Sequence, residues 1–345
     1  MALSFFNTHL ALIQAPMAGV QDFRLAAAVS NAGGLGSLPC AMLSKEQLVS
    51  ELDKLTQATS NPYNLNFFCH TPASYSNVQK QDWHQLLAPY FAEFNIDQAK
   101  LTMTASRQPI DADTVALIAP FKPPVVSFHF GLPEPAIVQQ IKSWGGKVIS
   151  TATTVEEAKW LAANGADAVI AQGLEAGGHR GHFLSMDLSL QQPTAVLVEQ
   201  CVAELNVAVI AAGGIATAED AKKMQSLGAA MVQVGSAYLL CQEATTSALH
   251  RDAILQQPAN STALTTVFSG RAARGIENRV MHELGTMPQQ APAFPFASIA
   301  LSALRAKSEA QGKSDFSPLW CGQKYIVREN INAAALSALL MTQWD

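Results

Sequence analysis

Charge is scarce in this chain. Asp, Glu, Lys and Arg make up 14% of its 345 residues, and the formal net charge is −5. No basic excess is present to neutralise phosphates, so nucleic acid is not an expected partner. Cysteine is sparse and scattered. Cys40, Cys69, Cys201, Cys241 and Cys321 form no CxxC pair and no Cys/His spacing of a zinc site, so no metal is expected. Reduced, buried thiols of a cytoplasmic protein account for them. Cys69 and Cys321 stand apart only because they adjoin motifs described below. Residues 1–12 lack the basic region and long apolar core of a signal peptide. No run of about 18 apolar residues is free of polar breaks, so no membrane span is expected. The expected location is the cytoplasm. A Walker loop is absent, and the two glycine turns late in the strand series do not match GxGxxG.

Hydrophobic residues, at 49%, are abundant enough for a large core. They fall into short apolar runs alternating with helical patterns, the signature of parallel βαβ units. Eight strands are expected, at 11–17, 35–39, 65–69, 125–130, 147–151, 168–172, 207–212 and 231–234. Most are continuous apolar runs, as strands buried on both faces should be. The punctuation agrees. Thr153 or Thr154 can cap a helix from Val155, with Glu157 placed for a capping box, and Thr217 can cap another from Ala218. Asn164-Gly165 and Leu227-Gly228 are helix stops.

Eight such units predict an α/β fold, a (β/α)8 TIM barrel, over residues 1–241. An open doubly wound sheet remains the alternative if two of the short strands fail. Residues 74–124 form a long insertion after the third strand. Residues 242–323, rich in helix formers and containing Phe294-Pro295-Phe296, read as a helical lid or substrate domain inserted after the eighth strand. Residues 324–345 would return to the barrel, with a last helix at about 332–344. The apolar lid leaves a homodimer open as an assembly.

In such a barrel chemistry sits at the carboxyl ends of the strands. Gln14-Ala15-Pro16-Met17-Ala18-Gly19 ends the first; its proline suits a strand end, as a plain turn or a ligand wall. Asn66, among Leu65, Phe67 and Phe68, is a buried amide that needs backbone or ligand partners. His129 ends the fourth strand and reads equally as a site residue or a structural histidine. Gln172-Gly173-Leu174-Glu175-Ala176-Gly177-Gly178-His179-Arg180-Gly181 ends the sixth. Its glycines let a ligand approach the backbone, and its histidine is the side chain that titrates near neutrality. His182 reads as a surface residue. Gly213-Gly214 and Gln233-Val234-Gly235-Ser236 end the last two strands, where barrels build phosphate sites from amides and helix N-termini. Neither turn carries Lys or Arg.

Together these endings resemble the nitronate monooxygenase family, formerly called 2-nitropropane dioxygenases, and its bacterial class I in particular. The matching stretches are Ala15-Pro16-Met17-Ala18-Gly19, Asn66-Phe67-Phe68, Val126-Ser127-Phe128-His129-Phe130-Gly131, the Gln172–Gly181 loop, Ala212-Gly213-Gly214-Ile215 and Gln233-Val234-Gly235-Ser236. Trp320-Cys321-Gly322-Gln323 is similar to a late WxGQ element. The resemblance implies a barrel that binds FMN non-covalently. Ala15, Pro16, Met17 and Ala18 would flank the flavin ring, and Asn66 and Gln172 would bond to it. Gly177, Gly178, Gly213, Gly214, Gln233, Val234, Gly235 and Ser236 would complete the cofactor site around its ribityl phosphate. His179 would stand over the reactive face, with His129 nearby.

The implied reaction is oxidative denitrification of an alkyl nitronate, such as propionate 3-nitronate, with O2, giving a carbonyl product and nitrite or nitrate. The implied route is one-electron transfer from the nitronate to FMN, followed by oxygen capture. His179 would act as a base on a neutral nitroalkane or orient a pre-formed nitronate. Similar flavin barrels act instead as NAD(P)H-dependent quinone or enoyl-thioester reductases, and that is the alternative. A flavin-free phosphate-binding aldolase or isomerase would need a Schiff-base lysine or an acid pair at a strand end, and neither is evident. The class I family places several tyrosines around the substrate, yet residues 242–323 contain none. Phe268, Phe294, Phe296, Trp320 and Gln323 are the expected pocket residues instead. Phenylalanine cannot donate a hydrogen bond, so a more apolar pocket for longer or uncharged substrates is expected.

Overall fold

The computed structural model describes residues 5–101, 107–256 and 261–344. Residues 1–4, part of the expected absence of a leader, lie outside them. The strands are β1 (Leu12–Gln14), β2 (Gly36–Pro39), β3 (Tyr63–Phe68), β4 (Val125–His129), β5 (Lys147–Ala152), β6 (Ala168–Gln172), β7 (Gly178–His179), β8 (Ala208–Ala212), β9 (Met231–Val234), β10 (Thr262–Thr265) and β11 (Ala273–Ile276). All eight expected barrel strands form, and they pair in parallel in the order β1-β9-β8-β6-β5-β4-β3-β2. A parallel bridge between Ile13 and Leu35 joins the two ends of this order, so the sheet closes as a (β/α)8 barrel. β1 is shorter than the run 11–17. Ala15 N still donates to Val234 O at 2.8 Å, and Pro16 then has no N–H to continue the ladder.

The strands are buried along nearly their whole length because helices cover their outer faces. The caps follow the sequence, except that Glu157, placed for a capping box, accepts from Thr153 N and closes no box with Thr154. Thr154 Oγ1 accepts from Glu157 N, and Thr217 forms a full capping box with Asp220. Gly165 and Gly228 follow the helix ends at φ +104° and +93°, where a side chain would be strained. The helix Ala333–Leu340 returns to the barrel, and Ser337 Oγ lies 2.7 Å from the hydroxyl of buried Tyr238.

The insertion and the late excursion pack as one layer. Trp83, Leu87 and Phe91 of the helix Asn77–Glu93 share an apolar cluster with Phe268, Leu304 and Phe316. Trp83 Nε1 donates to Ala297 O at 3.3 Å, and Arg279 pairs with Glu93 at 2.7 Å. The excursion is helical at Ala248–Gln256, Arg279–Leu284 and Ala297–Glu309. It also carries β10 and β11, which pair antiparallel, and β11 in turn pairs with β7. Among the described residues no helix is long and apolar enough to cross a membrane.

Candidate active site

The carboxyl ends of the barrel strands open on one cavity of about 270 Å³. Ala15, Pro16, Met17, Ala18, Asn66, His129, Gln172, Gly177, Gly178, His179, Gly213, Gly214, Gln233, Val234, Gly235, Ser236 and Trp320 all line it. Phe268, Phe294, Phe296 and Gln323 stand outside that lining. Phe294 is buried, with its ring centre 5.5 Å from that of His179. Phe268 packs edge-on to Trp320 at 5.5 Å, and Phe296 stacks on Tyr75 at 4.8 Å. These three phenylalanines therefore back the site. Gln323 is exposed, and its backbone N–H donates to Glu175 O at 2.9 Å.

His179 is fixed on every side. Its strand residue pairs with Ala273, and Arg180 N donates to Ala272 O at 2.8 Å. Its carbonyl accepts from Gln172 Nε2 at 3.0 Å and from His129 Nε2 at 3.1 Å. A carbonyl can only accept, so His129 carries its hydrogen on Nε2. Gln172 Oε1 takes Gly181 N at 2.8 Å. Gln172 and His129 thus use these bonds to hold the loop that presents His179. The His179 ring itself bonds through Nε2 to Ser269 Oγ at 2.8 Å. Its other walls are Phe68, Phe130, Phe294 and Trp320. Burial first, then the positive charge of Arg107, pushes its pKa well below the usual histidine range. The imidazole is neutral at neutral pH. Burial likewise lowers His129 to about 3.

Two buried charges brace the same loop from behind. Arg180 is fully buried and donates to Gln191 Oε1, Gly173 O and Gln172 O at 2.7, 2.7 and 2.8 Å. Glu157 accepts from Thr153 N and Oγ1 with one oxygen, and from Phe183 N and Leu184 N with the other. Its carboxylate thereby ties a helix start to the loop after His179. His182 is 3% exposed, which corrects the surface position expected of it. Arg271, reaching in from the late excursion, donates to the His182 carbonyl and lies 3.9 Å over the Phe130 ring. Nothing within the local sequence around His182 shows this cover.

At the glycine turns, an added Cβ on Gly177 would stand 2.5 Å from backbone atoms of Cys321 and Gly322. Gly322 N donates to Ser236 Oγ at 2.8 Å, which locks the late Trp320–Gly322 stretch against the end of β9. Gly213 and Gly214 have φ of +118° and +68°, a path only glycine follows easily. Lys324, from the C-terminal segment, lines the cavity and pairs with Asp220 at the following helix start. This cation was not expected from the turns themselves.

Comparison with known proteins gives the family. The family model described as nitronate monooxygenase matches residues 2–343. A nitronate monooxygenase from Pseudomonas aeruginosa is 38% identical over 96% of this chain and 95% of its own length. Another from Paraburkholderia phytofirmans is 36% identical over 95% of this chain and 90% of its own. The chain belongs to the nitronate monooxygenase family. As a member it is an oxidoreductase, and its family oxidises nitronates. A solved nitroalkane oxidase from Streptomyces ansochromogenes is similar at TM-score 0.88 and 32% identity, covering 99% of this chain and 97% of that one. FabK from Thermotoga maritima, at TM-score 0.75 and 24% identity over 99% of this chain and 95% of its own, shares the fold.

Within this nitronate monooxygenase family member, several cavity residues escape sequence reasoning. Ser269, Arg107, Arg305 and His250 sit in loops or on a helix without a motif. Arg107, Arg305 and His250 line the cavity, and Ser269 reaches His179. Tyr75, from the insertion, supplies an aromatic hydroxyl beside Phe296 where residues 242–323 have none.

Proposed function

We propose that this chain binds FMN without a covalent link and oxidises alkyl nitronates with O2. The C–N bond of the nitronate is broken, a carbonyl is formed, and nitrogen leaves as nitrite or nitrate. The observation that carries the proposal is the meeting, in one cavity, of His179 with three glycine turns and an unpartnered acceptor. Gln233 Oε1 is buried there with no hydrogen-bond partner among the described residues, an acceptor that a flavin ring N–H would satisfy. Gly213 and Gly214 present backbone without side chains, as a close approach to a phosphate requires. These residues fit the cofactor.

Bound FMN would supply the one-electron redox chemistry between nitronate and oxygen. The chain's residues do the rest. Gln233, with Ala15–Ala18 and the glycine turns, would hold the cofactor. His179, kept neutral by burial, would take a proton at a ring nitrogen from a neutral nitroalkane, or orient a nitronate already formed. Gln172 and His129 would keep His179 in place through its carbonyl. The aromatic wall of Phe68, Phe130, Phe294 and Trp320 would exclude water.

The test is anaerobic spectroscopy of the purified protein. Propionate 3-nitronate goes into one cuvette and NADH into another. A yellow protein whose visible spectrum changes with the nitronate and ignores NADH supports the proposal. Rapid bleaching by NADH alone would move the protein to the NAD(P)H-dependent reductases, and a colourless protein would refute the flavin.

A further inference from the structure

Three cations of the described residues line the cavity: Arg107, Arg305 and Lys324. Two have partners. Arg305 Nε lies 2.7 Å from Glu309 Oε1, and Lys324 pairs with Asp220. Arg107 has no carboxylate partner among the described residues, and its Nη1 is buried without a hydrogen bond. The wall's own carboxylates are engaged. Glu309 takes Arg305 and Ser317 Oγ, and Glu175 takes Thr194 N and Oγ1. Phe294 places Arg107 beside the reactive histidine. The guanidinium lies 5.9 Å from the Phe294 ring centre, and the His179 ring centre lies 5.5 Å from the same point. A guanidinium whose Nη1 is buried and unpaired is costly, and an anionic ligand that enters beside it recovers that cost.

We propose that Arg107 determines specificity at this site by pairing with the carboxylate of a carboxylate-bearing nitronate while the nitronate end faces His179. This rests on the nitronate function proposed above and names the side chain that selects among nitronates. The neutral imidazole cannot balance an anion, and the phenylalanines behind the site cannot donate. The guanidinium offers a planar pair of donors matched to a carboxylate. An alkyl tail would leave Nη1 unpaired, so the site discriminates against uncharged tails rather than for them.

The experiment compares wild type, Arg107→Met and Arg107→Lys on propionate 3-nitronate and on the nitronate of 1-nitrobutane. It adds calorimetric binding of 3-nitropropionate without oxygen. Loss of one partner of a buried charge pair predicts a KM for propionate 3-nitronate raised about 30-fold in Arg107→Met. The KM for the butyl nitronate stays within about twofold, since that tail makes no pair with the charge. Arg107→Lys retains part of the preference, and 3-nitropropionate binding falls in parallel with the carboxylate effect. Equal losses on both nitronates, or no loss on either, overturn the proposal. A wild type that turns over neither nitronate refutes the proposed function. Calorimetry then still decides Arg107: binding of 3-nitropropionate that Arg107→Met abolishes supports the anion site, and unchanged binding overturns it.

Discussion

Replacing Ser269 with alanine tests whether His179 is a base. Ser269 is 1% exposed, and its Oγ lies 2.8 Å from His179 Nε2. The base assignment takes the hydroxyl as donor to Arg271 O, 3.2 Å away, and not to the imidazole. The oxygen is then left to accept from an imidazole Nε2–H, and the basic lone pair falls on Nδ1. Alanine removes that acceptor and leaves Nε2–H unpaired in a buried place. The net loss is about 1–2 kcal/mol, between a typical hydrogen bond and an unsatisfied buried donor. If that loss falls on the proton-transfer step, it is about tenfold in rate. The expected result is a kcat on neutral nitroethane lowered about tenfold, with kcat on pre-formed ethyl nitronate within about twofold, because only the first substrate needs a proton removed. Ser269→Thr, which keeps the hydroxyl, should restore most of the rate. Oxygen consumption on the two substrates, with melting curves as a folding control, is the assay. Equal losses on both substrates would refute the base assignment, as would a wild type with no turnover of nitroethane at all.

Acid should destabilise the fold through histidines that are buried neutral. Burial lowers His129 to about 3, and His182 and His250 each to about 4, against 6.5 when unfolded. The unfolded chain therefore binds these protons first. Their contribution is complete above about pH 6.5 and is lost as pH falls toward 4. Each should cost about 1.3 kcal/mol between pH 7.5 and pH 5.5, roughly 4 kcal/mol together, measured by urea unfolding; a flat profile over that range sinks the argument. Gly177→Ala would drive a Cβ to 2.5 Å from the backbone of Cys321 and Gly322. It should lose about 1–3 kcal/mol of stability and weaken flavin retention, and a variant with wild-type melting and colour would show that the turn tolerates a side chain. Gln233→Leu should weaken FMN binding about 3–10-fold by titration, one hydrogen bond's worth. The flavin-free protein should melt no lower than wild type, since its buried Oε1 has no partner to lose among the described residues; a lower flavin-free melting point would mean that the amide serves the fold instead.

The barrel was legible because its signals are local. Strand β6, Ala168–Gln172, is apolar throughout since helices bury both its faces, and Thr217 three residues before Asp220 writes a helix start directly. Most of the cavity was legible for the same reason, as polar or glycine residues that end such strands. What escaped depends on chain segments that meet only after folding. Gly178–His179 forms two residues of strand because β11 pairs with it, and no period can appear in two residues. The insertion and the excursion read as separate because each carries only half of a shared apolar cluster. Gln172 was expected to bond the flavin and His129 to stand near His179 as a site or a structural residue, and both line the cavity. Their hydrogen bonds to the His179 carbonyl arise from a loop that folds back over the strand ends. Ser269 and Arg107 belong to stretches with no periodicity, where a single polar side chain looks like any solvated loop residue.

The absence of tyrosine from residues 242–323 suggested an apolar pocket, and the fold changes what that absence means. Phe268 and Phe296 pack on Trp320 and Tyr75 and Phe294 packs on His179, so the absence of hydroxyls there leaves the cavity's polarity to other residues. His179 is neutral, partly because Arg107 is near, so it cannot supply the positive charge a bound anion needs. Arg107 has that charge, and its Nη1 has no hydrogen-bond partner among the described residues. Proton handling and charge balance therefore fall on different side chains. An imidazole that had to balance the anion would be held protonated and lose its capacity as a base. A fixed guanidinium, which does not titrate near neutrality, takes the electrostatic role and leaves the imidazole free for the proton.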